Sequence, residues 1–143
     1  MRLTRHTDYA LRILLQAAAE PERRLSIAIV SEAQDIARNH AMKLVNELAN
    51  GGLLATVRGR NGGFTLARPA AEIRIGDVVR LTEPDLRPAD CDNCELVGNC
   101  GLAGMLSTAV RAFLGELDSY TLADAAANTR LPLRITRLVN ADV

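Results

Sequence analysis

Up to Asn50 the apolar residues of this chain recur at helical spacing; past Gly51 and Gly52 the repeat shortens to that of strands, around a turn holding three glycines and two arginines. Few folds accept that switch, because a 3.6-residue period and a two-residue period bury different faces. Several helices must come first and feed a short two-stranded hairpin. The first helix spans 3–19, carried by Tyr9, Ala10, Leu11, Ile13, Leu14, Leu15, Ala17 and Ala18, and Pro21 follows its last turn. Ser26 is a candidate N-cap for a second helix over 27–34. Asp35-Ile36-Ala37 reads as a tight connection into a third helix over 38–50, with Met42, Leu44, Val45 and Leu48 as its inward stripe. Runs 53–57 and 64–67 are the strand candidates, joined by Arg58-Gly59-Arg60-Asn61-Gly62-Gly63.

Farther along, a short helix is expected over 75–81, and Pro84 and Pro88 mark an irregular segment. Leu102, Met105, Leu106, Ala109, Val110, Phe113, Leu114 and Leu117 define a long helix with a broad apolar face. Thr121 is a candidate cap for a last helix ending at Ala127; 131–143 carries no signal. The expected fold is mainly α with a small β-hairpin wing: a winged helix-turn-helix plus a long dimerisation helix. Its divisions are 1–82 for the DNA-binding domain, 83–101 for a cysteine-containing loop, 102–127 for the dimerisation helix and its short successor, and 128–143 for a tail.

In a winged helix-turn-helix the second helix of the pair enters the major groove. The reading face is then Arg38, Asn39, His40 and Lys43, near the start of the 38–50 helix. Arg58, Arg60 and Asn61 at the hairpin tip suit phosphates or a narrow minor groove. The net charge of zero hides a polarity that fits: residues 1–80 carry 12 Lys or Arg against 8 Asp or Glu, and the remainder 5 against 9. With no apolar run long enough to span a bilayer and no apolar signal core, a cytoplasmic protein without a membrane partner is expected.

All three cysteines, Cys91, Cys94 and Cys100, fall within ten residues. An odd number so close together in a reducing compartment argues against a disulfide framework and for a metal or redox site. Three soft donors select zinc, copper(I) or iron–sulfur, and free sensing thiols remain open beside them. A closed zinc site completes itself with a local Cys or His, but His6 and His40 are both in the N-terminal half. Neither histidine stands in a catalytic pattern, His6 belonging beside the first helix and His40 on the DNA face, and no enzyme is expected.

The opening run from Met1 to Arg12, the stretch Ser31 to Asn46, the wing from Val57 to Gly63, the run Ile73 to Val79, the three cysteines and the run Phe113 to Asp124 together carry a resemblance. Over about 1–127 the chain resembles the Rrf-type winged-helix regulators, and within them the nitric-oxide-sensing NsrR-like branch, whose relatives include IscR-like and RirA-like regulators. The resemblance implies a homodimeric repressor on a palindromic double-stranded operator, joined through the helix after the cysteines. It also implies an iron–sulfur cluster, four-iron with two-iron as the alternative, on Cys91, Cys94 and Cys100, with Asp8 of the partner subunit as fourth ligand. Nitric oxide is the implied effector. The first two cysteines are separated by only two residues, a shorter gap than that branch usually shows. Read from the residues alone, Asp8 is a first-turn carboxylate facing the helix dipole, within reach of Arg12 one turn on. An iron- or redox-responsive regulator, or a zinc-stabilised DNA-binding protein without a sensing role, are the competing expectations.

Overall fold

A computed structural model gives the fold and describes residues 2–131 together with residue 135. The elements run α1 (Arg5–Ala19), α2 (Ile27–Gln34), α3 (Arg38–Asn50), β1 (Leu54–Val57), β2 (Gly63–Leu66), α4 (Ile75–Thr82), α5 (Gly101–Asp118) and α6 (Leu122–Ala127), with a 3-10 turn at Ala70–Glu72. The expected mainly helical architecture with a hairpin wing is observed. The tail expected over 128–143 lies, from 132 on and apart from Ile135, outside the described residues. No helix among the described residues is long and apolar enough to cross a membrane.

Apolar periodicity and capping account for the helical trio. Thr4 accepts the N–H of Thr7 at the start of α1, and Ser26 accepts that of Ile29 at the start of α2. The trio's inward faces, with Ala10, Ile13, Leu14 and Ala17 from α1, Val30 from α2, and Ala41, Leu44, Val45 and Leu48 from α3, close one core. One expected core residue is not there. Met42 is 48% exposed and Ala41 takes the inward place. The reason is angular: Leu44, Val45 and Leu48 set a stripe that includes position 41, and the next residue falls about 100° round the helix.

β1 and β2 pair antiparallel in the register Leu54 with Leu66 through Val57 with Gly63. Leu25 adds a single antiparallel rung on the other side of β2, exchanging N–H and carbonyl with Phe64 at 2.9 and 2.8 Å, and Phe64 is fully buried beneath it. The hairpin is thereby fixed to the helices rather than projecting from them.

Two ties position the chain beyond the hairpin. The first joins the beginning of α1 to the end of α4: Glu83 Oε1 accepts from the backbone N–H of Thr4 at 2.7 Å and its hydroxyl at 3.1 Å, while the buried Thr82 hydroxyl donates to Thr7 at 2.9 Å. The second joins α4 to α5, where Arg80 grips Asp118 through two bonds of 2.7 and 2.6 Å. The guanidinium's hydrogen bonds hold the Asp118 carboxyl below the usual aspartate range, so this tie is present at neutral pH and is lost only as acid protonates the carboxylate.

Gly76 makes room for that grip, since a Cβ there would stand 1.9 Å from Asp118 Oδ1. Gly76→Ala is therefore expected to push Asp118 off Arg80 and lower Tm by about 3–6 °C in thermal unfolding. In an Asp118→Ala background the same substitution is expected to cost almost nothing, because the clash is gone.

Candidate nucleic-acid interface and cysteine loop

The turn between α2 and α3 is tight because Asp35 adopts the left-handed conformation, φ 54°, and its N–H reaches the carbonyls of Ser31 and Glu32. The Ser31 hydroxyl donates to the Ile36 carbonyl at 2.5 Å, closing the turn from the other side. Ala37 then opens α3 without a side-chain cap. Arg38, Asn39 and Lys43 stand exposed around that uncapped first turn, which is favourable for negative charge.

His40 differs from these three. It is half-buried and turned toward α1, its Nε2 at 3.3 Å from Nδ1 of His6, the two rings stacked at 5.5 Å and Tyr9 edge-on at 5.4 Å. His6 in turn meets Glu47 of α3 at 2.5 Å. Two histidines singled out separately in sequence thus form one brace that sets α3 against the first turns of α1. Nothing in the spacing of residues 6, 40 and 47 signals it.

On the wing, Arg58, Arg60 and Asn61 are all exposed. The tip is steadied by a residue that sequence reasoning passed over: Arg24, in the loop before Leu25, donates to the Asn61 carbonyl at 2.9 Å. Helix α3 and the wing are held to one scaffold by the shared core and by the rung at Leu25.

The cysteine loop leaves the end of α4 at Glu83 and returns at Cys100, the residue before α5. Cys91, Cys94 and Cys100 are half-buried free thiols. Turn bonds shape their segment, with the Val97 N–H donating to the Cys94 carbonyl and the Asn99 N–H to that of Leu96, both at 3.0 Å. Arg87 ties the loop's first part, meeting Asp85 at 2.9 Å and also Asp92. These bonds hold the Asp85 carboxyl below its usual range.

The donor chemistry suits a soft metal centre, being three thiols with no other covalent partner in one turn-rich loop. Their convergence does not exist within one chain, for among the described residues no three of His, Cys, Asp and Glu are close enough together to hold a metal. Asp8 is engaged elsewhere, half-buried on α1 and paired with Arg12 at 2.7 Å. It lies one helical turn beyond Thr4, which Glu83 fixes to the start of the cysteine loop.

Beside the loop, α5 has no buried residue at all; Leu102 is 56% and Met105 71% exposed. Leu106 and Val110 of α5 share an open apolar groove with Leu86, Pro88 and Cys91 of the loop. The C-terminal part of this apolar helix, at Phe113 and Leu117, is partly covered, while its N-terminal part around Leu102 and Met105 stands without cover in the single chain.

The family model for Rrf2, iron-dependent transcriptional regulator, matches residues 3–128. Among solved structures, CymR (YrzC), the global cysteine regulator of B. subtilis, is 25% identical with a TM-score of 0.71, the match covering 91% of this chain and 99% of that one. Staphylococcus aureus CymR is 27% identical with a TM-score of 0.72, over 89% of this chain and 99% of that one. IscR of T. potens, at 23% identity and a TM-score of 0.72 over 94% and 96%, shares the fold. With the helix-turn-helix, the basic wing and these matches together, the chain belongs to the Rrf2 family of transcriptional regulators, DNA-binding proteins and not enzymes.

Proposed function

We propose that this regulator is a homodimeric repressor whose hold on a palindromic operator depends on an iron–sulfur cluster, four-iron rather than two-iron, carried by Cys91, Cys94 and Cys100 with the partner subunit's Asp8, and that nitric oxide releases it. The observation that carries the reading is the set of three free, half-buried thiols in the loop that Glu83 fastens to the N-terminus of α1. A loop so attached transmits its own closure to the helix trio that presents α3. When bound, the cluster supplies an iron with a non-thiolate ligand, a site open to a strong iron ligand such as nitric oxide.

The residues then divide the work. Cys91, Cys94 and Cys100 would hold the cluster, and Asp8, which pairs with Arg12 in the single chain, would supply a ligand from one subunit's α1 to the other's loop. Arg38, Asn39 and Lys43 meet base edges and flanking phosphates, with His40 bracing the helix behind them; Arg58, Arg60 and Asn61 take the neighbouring backbone or minor groove. Two copies of α3 must sit about 34 Å apart to read a palindrome, so anything that relaxes the link between subunits weakens both heads together.

The test is composition first: protein purified without oxygen is expected to contain iron and sulfide and to be brown. Asp8→Ala is expected to keep the fold but change the visible spectrum and lose its operator at a lower nitric oxide dose than wild type. The same dose and the same spectra in both proteins would break the link between Asp8 and the cluster.

The matching family's description as iron-dependent supports a second reading, in which iron supply or oxidation acts on the same loop. Iron depletion or oxygen would then release DNA, and nitric oxide would not. Colourless protein with stoichiometric zinc would point instead to a zinc-stabilised DNA-binding protein with no sensing role.

A further inference from the structure

Met42 is a large apolar side chain left in water on the helix that begins after the Asp35 turn, 48% exposed while Ala41, Leu44 and Val45 around it are buried. Single exposed apolar residues are ordinary on protein surfaces. This one has particular neighbours. On a helix it shares a face with residues three and four before it, which are Asn39 and Arg38, and it is followed by Lys43, all three exposed. The outward face of α3 therefore has a polar, hydrogen-bonding first turn and an apolar unit one turn deeper.

In the major groove only one feature of the base code is apolar, the 5-methyl group of thymine. A thioether side chain, unbranched and polarizable, adapts to such a methyl without demanding one rotamer. We propose that Met42 is a specificity-determining residue that reads a thymine methyl in each operator half-site. The inference rests on α3 being the reading helix. It requires neither the cluster nor nitric oxide.

The test uses the full-length protein as purified and an operator selected from random duplexes, each thymine of one half-site being replaced in turn by deoxyuridine, which deletes only the methyl. In wild type one replacement is expected to lower affinity about 3–10-fold, as loss of a methyl contact should. Met42→Ala is expected to bind the parent operator correspondingly more weakly and to be indifferent to that same replacement. Met42→Leu, equally apolar, is expected to keep the sensitivity. Because the position is exposed, all three proteins should melt together. A wild type indifferent to every deoxyuridine, or a loss equally large in Met42→Ala, overturns the proposal. Arg38→Ala and Lys43→Ala separate the two levels: if they weaken operator binding while the uracil scan is flat, only the role of Met42 falls, and if they change nothing, α3 is not the reading helix.

Discussion

Cys94→Ala is expected to lower operator affinity by more than about a hundredfold, equivalent to roughly 3 kcal/mol, while leaving the fold intact. Both halves of that expectation come from where the residue sits. Cys94 lies in the loop between α4 and α5, outside the core cluster, and its thiol is in no disulfide among the described residues, so its loss should barely move the melting temperature. In the proposed cluster site it is the middle thiol of three, and its loss would leave two thiols and a carboxylate, too few donors for a soft metal centre. Operator titration by fluorescence anisotropy, with iron and sulfide measured on the same sample, gives the comparison. Leu96→Ser, in the same loop and 60% exposed, is the control expected to retain iron and bind DNA.

The second large effect is on stability and comes from the wing. Gly63→Ala is expected to cost about 2–4 kcal/mol in urea unfolding, combining a strained backbone with a collision. Gly63 has φ 152°, a value that side chains with a Cβ rarely accept, and a Cβ there would stand 2.4 Å from the carbonyl oxygen of Leu25. That oxygen is the one that accepts from Phe64 at 2.8 Å. Making room would separate Leu25 from β2, tilt the buried Phe64 ring and displace the tip that carries Arg58, Arg60 and Asn61. DNA binding should fall with stability in this variant, unlike Cys94→Ala, where binding falls alone.

Much of this architecture was legible because local chemistry decides it. The ends of α2 and α3 are set by Ser26, the Asp35 turn and Gly51, and the hairpin by its glycine-rich turn. What escaped depends on partners distant in sequence. Leu25 looks like loop until Phe64 pairs with it, and Thr4 gives no hint of Glu83, 79 residues away, because an isolated polar contact leaves no periodicity to read. Met42 was misplaced for a different reason: four apolar residues in one helix were assigned to one stripe when only three of them share it with Ala41. At the cysteines, residue type and spacing singled out three candidate donors, but among the described residues no three of His, Cys, Asp and Glu come close enough together to hold a metal, so what they bind is not legible from one chain. His40 shows the same limit within the chain, where its place near the start of α3 pointed outward and its contact with His6 turns it inward.

The most direct measurement is an anaerobic titration of the freshly purified protein with nitric oxide, tracking iron, sulfide, visible spectrum and operator binding on the same samples. A brown, sulfide-containing protein is expected, its spectrum bleaching and its operator being released over the same range of nitric oxide. A colourless protein that still binds its operator and ignores nitric oxide, even after anaerobic cluster reconstitution, would contradict that expectation and leave only the winged helix standing.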